Sequence, residues 1–90
     1  TILTEDDWDE FSNLFDKVHK GFFIKLRQKH PNITPAETRL LSLTKLKLST
    51  KEMAGMLGVS ADTIKKTRQR LRRKLDMSEE KSLEDIIEVL

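Results

Sequence analysis

The chain has 90 residues, of which 37% are hydrophobic and 36% are charged, and its formal net charge is +2. One small domain with a modest core is expected at this length, which argues against an enzyme with a deep pocket, and the absence of cysteine excludes disulfides and thiolate metal sites. No stretch approaches the roughly 18 apolar residues of a membrane span, so we expect no membrane contact by this segment. The small size and the lack of cysteine favour a cytoplasmic protein that is not an enzyme and has no cofactor.

The first predicted helix runs from about Glu5 to Lys29. Thr4 and Asp7 have the spacing of a capping box, and Pro31 disfavours helical backbone at the residue before it. One stripe of this helix is apolar and largely aromatic: Trp8, Phe11, Phe15, Val18, Phe22 and Leu26. We expect the stripe to be buried, either in this chain's own core or against a second copy or a sensory region.

Four more helices are predicted after residue 31, and no segment alternates apolar and polar residues as a strand would. Each helix has a candidate N-cap, in order Thr34, Ser49, Ser60 and Ser82. Pro35 suits a first helical position, and Glu37 and Glu52 complete capping boxes. The last helix places four apolar residues on one face: Leu83, Ile86, Ile87 and Leu90.

The spacing between residues 50 and 71 predicts two helices joined by a three-residue turn. Ala54 is a small residue where such helices meet, and Gly58 suits a positive φ at the end of the first. Four apolar residues have the spacing to clamp the pair: Met53, Leu57, Val59 and Ile64. This is the helix-turn-helix arrangement, in which the second helix enters the major groove of DNA.

Charge is segregated along the chain. Residues 39–74 carry 11 Lys and Arg against 2 Asp and Glu, whereas residues 75–90 carry 1 against 6. On a helical wheel centred on Ile64, the outward stripe is Asp62, Lys66, Gln69 and Arg73, flanked by Lys65 and Arg70. Cations with one amide suit phosphate contact and base reading, so this stripe indicates a polyanionic partner.

The segment "ITPAETRLLSLTKLKLSTKEMAGMLGVSADTIKKTRQRLRRKL" (residues 33–75) resembles the LuxR/GerE (NarL-type) DNA-binding domain. The matching residues include Ile33, Thr34, Glu37, Leu48, Ser49, Lys51, Glu52, Met53, Ala54, Val59, Ser60, Thr63, Ile64, Lys65, Lys74 and Leu75. The resemblance implies a four-helix bundle at residues 32–90 whose third helix reads DNA and whose fourth often forms a dimer contact. Residues 1–31 are similar to a connector helix of sensor-linked bacterial regulators.

The resemblance and the wheel together predict a set of DNA-contacting residues: Thr50, Lys51, Ser60, Asp62, Thr63, Lys65, Lys66, Gln69, Arg70 and Arg73. We predict an output domain of a transcription regulator that binds double-stranded DNA as a homodimer. Because the chain begins at Thr1 rather than Met, we expect an upstream sensory region. Arg68 replaces an apolar family residue, and we expect it to pair with a carboxylate such as that of Glu37 or Glu52.

Two other functions fit the same residues. The aromatic helix and the basic face are also compatible with a protein-interaction module that docks an amphipathic partner and an acidic surface. A sigma-factor-like helix-turn-helix would share the same two helices and would also contact polymerase. His19 and His30 have no acidic partner at metal-ligand spacing, so we predict no metal site.

Overall fold

A computed structural model describes residues 2–75, 82–88 and 90 of the chain. These residues form six α-helices and no strand, which confirms the predicted all-α class. In chain order the helices are α1 (Glu5–Val18), α2 (Phe22–Lys29), α3 (Pro35–Lys45), α4 (Thr50–Leu57), α5 (Ala61–Leu75) and α6 (Leu83–Glu88). None of the helices in these ranges combines the length and the apolar content that crossing a membrane needs.

The single first helix predicted from the sequence is wrong, because the segment forms two helices separated at residues 19–21. Gly21 has a φ of +79°, a left-handed conformation that favours glycine. The N–H of His19 still donates to the carbonyl of Phe15 at 2.8 Å, and the chain turns before Phe22. The apolar spacing continues across this break, and a glycine inside a helix costs only about 1 kcal/mol. The sequence pattern therefore did not indicate that the helix ends here.

The aromatic stripe is buried mainly in this chain's own core. Trp8, Phe15, Phe22 and Leu26 are buried together with residues of α3 to α6. The rings of Phe15 and Phe22 meet edge to face, with centroids 5.2 Å apart, which joins α1 to α2 across the turn. Val18 is the exception: it lies where α1 ends and is 76% exposed, so its predicted burial is wrong.

Helix α3 is the central element of the core. Five consecutive residues, 40–44, are buried, which requires packing on every side of the helix. The two buried hydroxyls are satisfied within the helix: Ser42 donates to the carbonyl of Arg39 at 2.7 Å, and Thr44 donates to that of Leu40 at 2.9 Å. The predicted cap is present, since the N–H of Glu37 donates to Thr34 Oγ1 at 3.1 Å.

Helices α4 and α5 pack against each other across a short turn at residues 58–60. Gly58 ends α4 with a φ of +70°, and the N–H of Val59 donates to the carbonyl of Ala54 at 3.1 Å. Met53, Ala54 and Ile64 are buried between the helices and the rest of the core. Val59, which the spacing predicts to point inward and clamp the pair, is instead 41% exposed.

Gly58→Ala is expected to lower the free energy of unfolding by about 1–3 kcal/mol, because a left-handed backbone strains any residue with a Cβ. The new Cβ would also lie 3.0 Å from Cδ1 of Ile2, which covers this turn. The matched control is Gly55→Ala within α4, where a Cβ meets nothing within 4 Å. That change should stabilise the protein by about 0.5–1 kcal/mol. Urea unfolding of both variants checks the difference, and equal effects would contradict it.

Helix α6 packs against α3 and α5. Its predicted cap is present, since the N–H of Asp85 donates to Ser82 Oγ at 3.2 Å. Leu83 and Ile87 are buried in this chain's own core, whereas Ile86 and Leu90 are partly buried against it. The first two side chains are therefore unavailable for the dimer contact that the family resemblance implied. The sequence also predicts a polar loop that follows Asp76 and Met77 and leads to Ser82, and residues 76–81 lie outside the described residues.

Candidate nucleic-acid interface

The direction of α5 is fixed by three buried residues on one side, Ile64, Leu71 and Leu75. Their spacing of seven and four residues keeps them on one stripe over the whole helix. Ser60 caps the helix, since its Oγ accepts the N–H of Thr63 at 3.1 Å and lies 2.9 Å from the Thr63 hydroxyl. With the helix held in this way, the opposite stripe must face away from the core.

The outward face of α5 consists of six exposed residues: Asp62, Lys65, Lys66, Gln69, Arg70 and Arg73. Four cations and one carboxylate give it a net charge of +3. Among the described residues this face holds one ion pair, between Lys66 Nζ and Asp62 Oδ2 at 3.1 Å. Both side chains are more than 70% exposed, so the pair contributes well under about 1 kcal/mol and opens easily for a competing anion.

The two flanks of α5 hold different ion pairs. Towards α3, Lys74 Nζ lies 2.8 Å from Glu37 Oε1. Burial alone would raise the pKa of Glu37, but hydrogen bonds from Lys74 and from the Thr34 cap bring it below its usual value. Towards α6, the Arg68 guanidinium pairs with Glu84.

The prediction that Arg68 pairs with a carboxylate is therefore confirmed, but neither of the two suggested partners, Glu37 and Glu52, is the one that it contacts. Glu37 is occupied by Lys74, and Glu52 accepts the N–H of Ser49 at 2.9 Å in the cap of α4. Arg68 lies on the side of α5 that faces α6, and its side chain is 21% exposed. Burial lowers the pKa of its guanidinium, and the carboxylate of Glu84 supplies the counter-charge.

Comparison with protein-family models, curated proteins and solved structures gives no match for this chain.

The remaining predicted site residues lie near the starts of α4 and α5. Thr50 is half-buried and Lys51 is exposed in the first turn of α4, beside the capping box of Ser49. Ser60 and Thr63 are exposed at the start of α5 but already bond to each other. The backbone N–H groups of these first turns are positive dipole ends that favour an anion.

Arg72 is a basic residue of this region that the sequence reasoning did not select. It is half-buried beside the outward face and lines a notch between α5 and α6 together with Lys65 and Arg68. The wheel places it about 80° from Ile64, between the buried and outward stripes. Arg72 is four residues from Arg68 and seven from Lys65, and residues with this spacing share one side of a helix. That spacing is the feature of the sequence from which Arg72 could have been selected.

The outward face of α5 has the chemistry of nucleic-acid recognition. Lys and Arg neutralise phosphate and can bond to guanine, and Gln can pair with adenine. Asp62 can accept a hydrogen bond from cytosine and repels phosphate.

The residues that the structure describes contain no group of three His, Cys, Asp or Glu side chains able to hold a metal ion.

Proposed function

We propose that this chain is a DNA-binding domain of the LuxR/GerE helix-turn-helix type, acting as the output domain of a bacterial transcription regulator. The observation that carries the proposal is the division of α5 into two faces. Ile64, Leu71 and Leu75 anchor the helix in the core, while its opposite side presents a net charge of +3 to solvent. The α4–turn–α5 geometry, with Gly58 in a left-handed conformation, supports the same proposal.

Binding would be driven by phosphate contacts and made selective by a few side chains. From Asp62 to Arg73 the outward face extends about 16.5 Å along the helix, enough to face about four to five base pairs. Lys66, Gln69 and Arg73 are the residues best placed to reach base edges in the major groove. Two copies on half-sites about one helical turn apart would combine their binding free energies and so bind far more tightly than one copy, which suits control by dimerisation.

The protein-interaction module is the weaker proposal for this fold. It needs the aromatic stripe to be free to dock a partner, but Trp8, Phe15 and Phe22 are buried in the chain's own core. A sigma-factor-like domain would use the same outward face and would differ by a further contact with polymerase. If the chain binds duplex DNA tightly in the absence of polymerase, that result would favour the output domain over the sigma-factor-like domain.

The proposal predicts that the chain enriches a short motif from a random duplex library at moderate salt. A domain with α5 in the major groove should select about four to five adjacent base pairs, and a dimer should select them as an inverted repeat. The measurement is sequencing of DNA retained on the immobilised chain over successive rounds. A pool that stays unenriched after binding would contradict sequence-specific recognition.

A further inference from the structure

A polar notch of about 320 Å³ lies between α5 and α6, beside the outward face of α5. Its lining residues are Lys65, Arg68, Gln69 and Arg72 from α5 and Ser82, Leu83 and Glu84 from α6. Lys65 and Gln69 belong to both the notch and the outward face. An anion held in the notch would therefore lie next to DNA that contacts that face.

Positive charge exceeds negative charge in the lining of the notch. Three cations line it, and Glu84 is the only carboxylate among its lining residues. Glu84 is engaged by Arg68, whose side chain is 21% exposed and so is fixed by the surrounding helices. Among the described residues no carboxylate pairs with Lys65 or Arg72. The lining thus has a net charge of +2, which is carried by Lys65 and Arg72 on one side of α5.

Neutral donors complete the notch. The hydroxyl of Ser82 accepts the N–H of Asp85 at 3.2 Å, which leaves its own hydrogen free to donate. Gln69 adds an exposed side-chain amide from α5. Two cations and a hydroxyl around one recess are the donor types that bind a phosphodiester oxygen.

The opposite flank of α5 lacks this chemistry. Lys74 is neutralised there by Glu37 at 2.8 Å. The adjacent recess is lined mainly by apolar and neutral side chains, including Leu40, Leu57 and Val59. The charge around α5 is therefore asymmetric, with the excess on the α6 side.

We propose that the notch binds one phosphate of the DNA backbone, with Lys65 and Arg72 as its cationic ligands and Ser82 as a neutral donor, while Gln69 at its edge contacts a base. The inference rests on the proposed function and adds to it the orientation of the domain on the duplex. The start of α6 faces one backbone of the bound groove, and the α3 flank makes no comparable contact. The Arg68–Glu84 pair is a positioning element that holds α6 against α5 at the notch.

The test uses Arg72→Gln and a set of duplexes that each carry one neutral methylphosphonate. Arg72→Gln should weaken binding to the selected sequence and to a scrambled sequence equally, by about fivefold near 150 mM salt. The slope of log Kd against log salt should fall by about 1, which corresponds to the loss of one phosphate contact. One methylphosphonate position should weaken the wild type but add nothing to the loss already seen in Arg72→Gln.

Matched controls separate this contact from general charge and from folding. Lys74→Gln removes the same charge on the opposite flank and should change DNA affinity less than twofold. Urea unfolding should give both variants midpoints close to the wild type. Titration of the wild type with inorganic phosphate alone, followed by NMR of the Lys65, Arg72 and Ser82 signals, should show no saturation below millimolar concentration.

Three results would overturn the proposal while leaving DNA binding intact. The first is unchanged affinity in Arg72→Gln, and the second is a loss confined to the selected sequence, which would make Arg72 a base reader. The third is saturation of the notch by submillimolar inorganic phosphate without coupling to any methylphosphonate position. A wild-type chain that binds no duplex DNA would instead overturn the proposed function itself.

Discussion

Lys66→Glu combined with Arg73→Glu is expected to abolish binding to duplex DNA without unfolding the protein. Both side chains are exposed on α5, opposite its buried stripe, so their replacement leaves the core untouched. Each reversal removes two charge units, so the outward face changes from +3 to −1 and repels phosphate. We expect Kd to rise at least 100-fold in fluorescence anisotropy near 100 mM salt, with an unchanged helical circular dichroism spectrum.

The matched control reverses two lysines elsewhere. Lys17→Glu with Lys25→Glu, on α1 and α2, changes the net charge of the chain by the same four units, and both lysines are exposed. This control should lose much less affinity than the α5 variant. Equal losses would mean that only the net charge matters, and unchanged binding in the α5 variant would contradict the assignment of the interface.

Phe22→Ala is expected to destabilise the protein by about 3–5 kcal/mol, a large part of the roughly 5–15 kcal/mol available to a small domain. Phe22 is 0% exposed, and its ring meets those of Phe15 and Phe23 at centroid distances of 5.2 and 5.5 Å. Removing it leaves a cavity where α2 joins the core. The free energy from urea unfolding, measured by tryptophan fluorescence of Trp8, checks this loss.

Val18→Ala is the control, because Val18 is exposed and its truncation should change stability by less than about 0.5 kcal/mol. The wild-type unfolding midpoint should also be independent of protein concentration, since the aromatic stripe is buried within one chain. A small loss in Phe22→Ala, or stability that rises with concentration, would place this stripe at an interface between copies instead.

Local signals in the sequence predicted local structure well. The caps at Thr4, Thr34 and Ser49 form as expected, because each depends on residues only three positions apart. The buried and outward faces of α5 also follow from sequence alone, since the 3.6-residue period decides which side chains share a side.

Features that depend on distant residues were not predictable in the same way. The partner of Arg68 is Glu84, 16 positions away, and pairing them requires α6 to dock on α5. Val59 is 41% exposed in the turn that follows Gly58, and no periodic pattern encodes the burial of a turn residue. The spacing of Arg72 from Lys65 and Arg68 is visible in the sequence, but the notch that these residues line forms only when α6 packs against α5.

The packing of the helices determines which face of α5 is exposed. Helix α3 provides a core that α1, α2 and α6 cover, and the buried stripe of α5 fixes which side of that helix faces outward. The outward residues make few contacts with the core, so they can be replaced with little effect on stability. The fold and the proposed interface can therefore be tested separately.

The salt dependence of duplex DNA binding tests the central claim most directly. With about three to four phosphate contacts per chain, the slope of log association constant against log salt should lie near −3. Affinity should then fall about 60-fold between 50 and 200 mM salt, while vesicles containing anionic lipid take up no protein. Undetectable DNA binding at 50 mM salt, or stronger uptake by the vesicles than by DNA, would contradict the account.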